Sequence, residues 1–155
     1  MTARKPPAVV DPALATQSWL SVVRAYHLCD AVLTQRLAAL GLKLGEHEVL
    51  VNLFREPGIT QQQLAQRCFS AKSGVSMLVT RMEEDRLLRR EADPVDARVR
   101  RLSLTTRGEA LAAKALAIQA EVVQGMVAGA SEAELVHIME AMQRASVALV
   151  AMRGT

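Results

Sequence analysis

Hydroxyl side chains recur at helical spacing in the middle of the chain. Three of them lie three and four residues apart, so they share one face of a helix, where they can donate or accept hydrogen bonds. One methionine and two cationic side chains belong to the same face. The face consists of Lys72, Ser73, Ser76, Met77, Thr80 and Arg81. Such a face can contact the polar edges of nucleic-acid bases while its cations neutralise phosphates.

The helix that carries this face is predicted to run from about Ala71 to Asp85. Its opposite side is apolar, because Val75, Leu78, Val79 and Met82 recur at helical spacing. An apolar side turned to the core leaves the hydroxyl face in solvent, where it is available to a partner.

Two shorter helices are predicted before it. The first runs from about Gly45 to Phe54, with Val49, Leu50, Leu53 and Phe54 facing inward, and ends before the turn Glu56-Pro57-Gly58. The second begins at Thr60, a predicted N-cap, and Gln63 completes a capping box. This second helix and the hydroxyl-bearing helix, joined by a tight turn, predict a helix-turn-helix.

The following stretch has the pattern of a basic β-hairpin. Residues 87–91 and 99–104 are strand-like, and Asp93-Pro94-Val95-Asp96 is a turn between them, so the hairpin is predicted to form a wing. Residues 86–107 contain seven arginines and three acidic residues, a net charge of +4. Arg98 is predicted near the tip. Arg89, Arg90, Arg100 and Arg101 alternate, so about half of them, Arg100 included, are expected to face nucleic acid.

The predicted wing and helix-turn-helix carry motifs that resemble those of a known family. The run Asp96-Ala97-Arg98, followed after five residues by Leu104-Thr105, resembles the wing signature of the MarR family of regulators. Four further segments resemble the helix-turn-helix of that family: Leu64-Ala65, Lys72-Ser73-Gly74-Val75-Ser76, Leu78-Val79 and Arg81-Met82-Glu83. Gly108, after Leu104-Thr105, also fits the family pattern. The resemblance covers roughly residues 13–152.

The resemblance implies a mainly α fold: a winged helix-turn-helix with a small β-hairpin wing and a helical dimerisation region from both termini. It implies a homodimer that binds a pseudo-palindromic operator in double-stranded DNA, usually as a repressor that a ligand or an oxidant releases. It places Ser73, Ser76, Thr80 and Arg81 on the recognition helix. Arg98 becomes the wing arginine and Asp96 the residue that orients it.

The sequence departs from the family pattern at three places, of which Phe69-Ser70-Ala71 replaces a more usual turn of small, apolar and serine residues. Arg86 stands where the family usually has glycine after the recognition helix, which implies a strained or reshaped helix end. Met77 occupies a position often held by arginine or another polar residue, although a methionine can contact the methyl group of thymine.

Long helices are predicted on both sides of this lobe. The expected division is a loose basic tail over residues 1–11, a dimerisation helix within 12–41, a DNA-binding lobe over 42–106 and C-terminal dimerisation helices within 107–152. Gly41 and Gly45 are predicted to bracket the end of the first long helix, and Ser131 with Glu134 to cap the last helix.

The first helix also carries candidate effector and redox residues. Trp19, Arg24 and His27 lie on a stretch where members of the resembled family bind small aromatic or anionic ligands, and Arg24 could pair with a carboxylate. Cys29 leaves open a redox-sensing regulator of the same fold, although the adjacent Asp30 disfavours a reactive thiolate. Cys68 is interpreted as a core residue. A winged-helix protein-interaction module that does not bind DNA is a further alternative.

Other functional classes lack a signal in the sequence. No nucleophile elbow, phosphate-binding glycine loop or metal-ligand spacing occurs, so neither an enzyme nor a metal or cofactor site is expected. There is no secretory signal and no uncharged apolar stretch long enough for a bilayer, so a cytoplasmic protein without a membrane partner is expected. The balance of 19 basic to 16 acidic residues is only mildly positive, which makes the clustering in the wing more informative.

Overall fold

The computed structural model describes residues 10–69 and 73–153. Residues 1–9 of the predicted tail and the predicted phosphate contact Lys72 lie outside the described residues. Within the described part, the chain forms six α-helices, a short 3-10 turn and three strands. In chain order these are α1 (Pro12–Leu37), the 3-10 turn (Ala38–Leu40), α2 (Leu44–Arg55), β1 (Ile59–Thr60), α3 (Gln61–Arg67), α4 (Val75–Glu84), β2 (Leu88–Ala92), β3 (Arg100–Leu104), α5 (Thr106–Met126) and α6 (Glu132–Arg153).

The described residues divide into two compact units, residues up to Val122 and residues from Val123 onward. The first unit holds the hydrophobic core, to which every element from α2 to α5 contributes buried apolar side chains. Its fully buried members include Leu50, Leu64, Val79, Met82 and Leu102. This core fixes α3, α4 and the hairpin relative to one another, since each buries its apolar side against the same cluster.

The three strands form one antiparallel sheet in the order β1-β3-β2. The register pairs Leu88 with Leu104, Arg90 with Leu102 and Ala92 with Arg100. The strand β1 was not predicted, because two residues are too few to show a period. It closes the sheet through Ile59, which pairs with Leu102.

Capping side chains bound the helices where the sequence predicted them. The backbone N–H of Gln63 donates to Thr60 Oγ1 (3.2 Å), and the Gln63 side chain accepts from the Thr60 N–H (2.8 Å). Ser131 and Glu134 make the same reciprocal pair at the start of α6. Gly41 has φ +68° and ends the 3-10 turn, as expected for a glycine at that position.

Three predictions about local structure were wrong. The helix α4 begins at Val75, whereas a start near Ala71 was predicted, because Ser73 and Gly74 form a turn before it. Gly45 lies inside α2, which starts at Leu44. Phe54 is 43% exposed although it follows buried Leu50 by one helical turn, and it lies in the last turn of α2, which ends at Arg55.

The second unit contains the end of α5 and the helix α6, which has no buried residue within that unit. By length and composition alone, α6 could cross a membrane, since its most apolar 18-residue window has a mean hydropathy of 1.2. It also carries Glu140 and Arg144, whose charged groups lie 4.0 Å apart.

Candidate nucleic-acid interface

The helix α4 presents the hydroxyl face to solvent. Val75, Val79 and Met82 are buried, whereas Met77, which is opposite to Val75 around the helix, is 80% exposed. One open depression follows this exposed side. It is lined by Ser73, Gly74, Ser76, Met77, Thr80, Arg81 and Glu84. The structure therefore brings together all the predicted α4 contacts among the described residues, with Ser73 in the turn before the helix.

Arg81, whose side chain is 48% exposed, forms an ion pair within the protein. Its Nη2 forms an ion pair with Oε1 of Glu46, a buried carboxylate on α2. The other Glu46 oxygen accepts the backbone N–H of Lys43 at 2.8 Å, which caps α2. Because a buried carboxylate is costly to leave unpaired, this contact holds the Arg81 guanidinium and ties α4 to α2.

Thr80 belongs to a second tie, between α4 and the wing. Arg90 of β2 forms an ion pair with Glu83 through Nη1 and donates from Nη2 to Thr80 Oγ1 at 2.9 Å. The Arg90 backbone N–H also donates to Glu83, at 3.1 Å. The Thr80 hydroxyl itself donates to the Ser76 carbonyl at 3.1 Å, so it has one lone pair left for an outside donor.

The hairpin turn is built on Asp93, a buried carboxylate. It accepts the backbone N–H groups of Val95 (2.8 Å) and Asp96 (3.1 Å), and these two bonds, followed by the contact with Arg101, hold its pKa below the usual range for aspartate. Arg101 Nε pairs with Asp93 while Nη1 donates to the Gly58 carbonyl at 2.8 Å. Arg101 thereby fastens the turn to the segment before β1.

Arg98 projects from this turn with 93% of its side chain exposed. Asp96 Oδ1 accepts both the backbone N–H of Arg98 (3.0 Å) and its Nε (3.2 Å), which confirms the predicted orienting role of Asp96. Arg100 lies on the sheet face shared with Leu102 and Leu104, and its side chain is exposed. Among the described residues, the Arg100 guanidinium has no ion-pair partner.

The segment between α4 and β2 is hydrogen-bonded to the residue that follows β3. Arg86 has φ +58°, the left-handed conformation that usually favours glycine, and the bonds Arg86 N–H to Glu83 O and Leu87 N–H to Met82 O (both 2.9 Å) complete a Schellman end to α4. Thr105 then donates from Oγ1 to the Arg86 carbonyl at 2.7 Å. The strained end predicted at Arg86 is therefore present.

The carboxylates that position these arginines were not predicted from the sequence. Glu46, Glu83 and Asp93 each hold one arginine, and only Asp93 had a local signal, since an aspartate before proline favours a turn. The partners of the other two lie on different elements, so no local pattern could have identified them.

The candidate effector residues lie on α1 with exposed side chains, Trp19 at 63%. The ring of His27 packs edge-on against Tyr26, with 5.5 Å between their centroids. A depression further along α1 is lined by Val32, Gln35, Arg36, Ala39 and Ile118, and so does not include the three candidates.

The two cysteines differ in their surroundings. Cys68 is a core residue, as interpreted from the sequence, and burial followed by the nearby Glu48 charge raises the pKa of its thiol to about 11. Cys29 is a free, half-buried cysteine on α1.

Comparison with known proteins identifies relatives of this architecture. A family model described as the MarR family matches residues 40–99. The transcriptional regulator HosA of Escherichia coli O111:H- is 37% identical over 73 residues, 47% of this chain and 54% of HosA, so the match spans about half the length of that curated relative.

Two solved structures extend the similarity to most of the chain. AbsC, a MarR family transcriptional regulator from Streptomyces coelicolor, is 26% identical with a TM-score of 0.78, over 90% of this chain and 95% of AbsC. MepR of S. aureus, solved as a complex with DNA, is 25% identical with a TM-score of 0.72, over 84% of this chain and 96% of MepR. With the helix-turn-helix, the wing and its Asp96–Arg98 contact in place, the chain is similar to the MarR family in sequence over residues 40–99 and to AbsC in fold over most of its length.

Proposed function

We propose that this chain is a transcriptional regulator that binds specific sites in double-stranded DNA as a homodimer, and that it acts as a repressor released by a small ligand. The observation that carries the proposal is the exposed face of α4 beside a wing whose tip displays Arg98. In this reading α4 enters the major groove, while Arg98 and Arg100 contact the minor groove or the phosphate backbone.

Geometry and charge support this assignment. The helix α4 is ten residues long and exposes small or flexible side chains, so its backbone can approach base edges closely. The segment of residues 86–107, which contains the hairpin, has a net charge of +4, and the Asp93 and Asp96 contacts hold the hairpin turn in a defined shape. The likeness to MepR, solved with DNA, supports the same partner. A pre-shaped cationic tip binds a polyanion with less loss of side-chain entropy.

A homodimer is supported by apolar surface that each unit leaves in solvent. In the first unit, α1 exposes Leu14, Trp19, Leu20, Val22, Tyr26 and Leu28. In the second unit, α6 exposes Leu135, Val136, Ile138, Met139, Val147, Leu149 and Val150. A second copy would cover such surfaces, since runs of exposed apolar side chains along a helix are typical of protein–protein interfaces.

A lipid bilayer is a less favourable environment for α6 than a protein interface. Glu140 and Arg144 lie in the middle of the helix, and a charged side chain at the centre of a bilayer costs about 2.5–3.5 kcal/mol. A protein interface can leave these two charges at its polar rim. The proposed division is accordingly dimerisation helices within 12–41 and 107–152 around a DNA-binding lobe over 42–106.

For the effector, we propose a small aromatic or anionic molecule near Trp19, Arg24 and His27 of α1. These side chains offer a stacking surface, a fixed positive charge and a second polar ring. A ligand that preferred one dimer arrangement would change the separation of the two recognition helices and so release the DNA.

The test is the salt dependence of binding to duplex DNA, with Arg98→Ala as the variant. The affinity of the parent protein is expected to fall steeply as salt rises, since each neutralised phosphate releases counterion. Each of the two subunits in the proposed dimer loses one phosphate contact, at about 1 in the slope per contact. The magnitude of the slope of log K against log salt is therefore expected to fall by about 2. Fluorescence anisotropy on a labelled operator duplex measures both quantities.

Arg144→Ala is the matched control, because it removes the same charge from α6 and leaves the wing intact. We expect this variant to keep the slope of the parent. If Arg98→Ala has the same slope as the parent, Arg98 does not contact the DNA backbone. A parent protein that binds no duplex at low salt would contradict the proposed function as a whole.

A further inference from the structure

Two polar side chains near Met77 on α4 already bind partners within the protein. Arg81 is held by the buried carboxylate of Glu46, and the Thr80 hydroxyl is bound by Arg90 and by the Ser76 carbonyl. Releasing Arg81 would leave Glu46 buried and unpaired, which is costly. The Glu46 contact uses Nη2 of Arg81 and fixes the direction of a guanidinium whose side chain is 48% exposed, so we assign Arg81 a positioning role.

Met77 is in the opposite situation. It is 80% exposed and projects from the side of α4 directly away from buried Val75, so its thioether meets solvent. Ser73 and Ser76 beside it are small, and they let Met77 reach further from the helix than its neighbours. On the described part of α4 and its preceding turn, Met77 is the exposed apolar side chain.

The major groove offers one apolar group to such a side chain, the C5 methyl of thymine. A flexible, polarizable methionine adapts its rotamers to a methyl group without needing exact placement. Both surfaces lose water when they meet, which favours thymine over cytosine, the pyrimidine that lacks the methyl group.

We propose that Met77 determines sequence preference by contacting a thymine methyl group in each half of the operator, while Arg81, fixed by Glu46, positions α4 and reads no base. The assignment rests on the proposed function, since it presupposes that α4 enters the major groove. It adds the chemical feature of the DNA that the helix selects.

The experiment replaces single thymines by deoxyuridine, which removes the C5 methyl group and keeps the base pair. A duplex is first selected from a randomised library with the full chain, and each thymine of one half-site is then replaced in turn. At one position, we expect the affinity of the parent to fall about fourfold, the fold-change that matches one methyl-sized group withdrawn from water.

Two variants test whether the loss of affinity on removing the thymine methyl group depends on Met77. Met77→Ala is expected to bind thymine and deoxyuridine duplexes equally at that position, whereas Met77→Leu, which keeps an apolar side chain, should retain most of the discrimination. Because Met77 is exposed, both variants are expected to keep the melting temperature of the parent, which circular dichroism checks.

Three results would overturn the proposal. If deoxyuridine lowers the affinity of the parent and of Met77→Ala equally, the effect comes from DNA shape and not from Met77. If the parent binds DNA in a salt-dependent way but no thymine replacement lowers its affinity, Met77 contacts no thymine methyl group. Each of these leaves the proposed function standing. Failure to bind any duplex would overturn the proposed function, and the Met77 assignment with it.

Discussion

Among single residues, His47 is a buried histidine whose protonation the fold opposes. It lies on α2, where Nε2 is 3.0 Å from Gln119 Oε1, and Nδ1 is buried without a hydrogen-bond partner among the described residues. Burial, the largest influence, lowers the pKa of His47, against smaller raising effects of Gln119 and Glu48. A proton on Nδ1 would place a charge where no acceptor faces it.

We expect acidification to destabilise the protein through His47. Its pKa is lower in the folded than in the unfolded chain, so the unfolded chain takes up the proton first, and stability falls as pH drops below about 6.5. Urea unfolding at a series of pH values from 7.5 to 5 measures this slope, which His47→Gln should reduce.

The matched control is His137→Gln, which removes an exposed histidine from α6. The carboxylates with lowered pKa, Asp93, Glu56 and Glu134, titrate below this pH range and do not enter the comparison. If His47→Gln keeps the full pH slope of the parent, the buried imidazole is not its source.

Among the elements, the start of α5 is bonded to the segment that ends α4. Thr105 donates its backbone N–H to the Leu87 carbonyl at 3.0 Å, and its Oγ1 accepts the Gly108 N–H at 3.1 Å. These bonds bring Gly108 against Leu87, so that a Cβ added at Gly108 would lie 1.9 Å from the Leu87 carbonyl oxygen. The start of α5 therefore packs against the residue before β2 at a distance that only glycine permits.

Gly108→Ala is therefore expected to destabilise the protein by about 1–3 kcal/mol, the usual cost of forcing a group into a well-packed site. The clash is with backbone, which cannot rotate away, and it outweighs the gain of up to about 1 kcal/mol that alanine brings to a helix. Chemical denaturation of the purified variant measures the difference.

A second glycine of the same helix provides the control. Gly125 has nothing within 4 Å of an added Cβ, so Gly125→Ala should leave stability unchanged or raise it. Equal effects of the two substitutions would show that the approach of Gly108 to Leu87 does not limit stability.

For the whole molecule, the apolar surface of α6 is expected to be buried in the dimer. Leu135, Met139, Met142 and Leu149 recur at spacings of three, four and seven residues and form one stripe along the helix. None of them is buried within the described chain, so we expect them to contribute to stability through the proposed dimer.

A charge in this stripe should separate the subunits. Met142→Glu would bury an unpaired carboxylate in each copy, at a cost of several kcal/mol, so sedimentation should change from twice the 16.8 kDa chain mass to a single chain. Gln143→Glu, which adds the same charge at a polar position, should leave the dimer intact. A parent chain that sediments as a monomer at micromolar concentration would contradict the homodimer.

Local chemistry could be predicted from the sequence by itself. The capping pairs Thr60–Gln63 and Ser131–Glu134 and the orienting contact of Asp96 with Arg98 join residues two or three positions apart. Such bonds depend on spacing and residue type alone, so the helix starts and the wing were predictable from them. The turn at Ser73 and Gly74 was not, since a helical period does not show where the helix begins.

Only the tertiary structure decided which polar side chains are free for a partner. Arg81 is paired with Glu46, 35 residues away, and Arg101 with the Gly58 carbonyl, 43 residues away. The strand β1 likewise exists through its pairing with β3. These contacts form because the hydrophobic core brings distant segments together, and a one-dimensional pattern contains no distance between them. As a result, arginines that are alike in the sequence divide into Arg81 and Arg101, which hold the fold together, and Arg98 and Arg100, which extend from it.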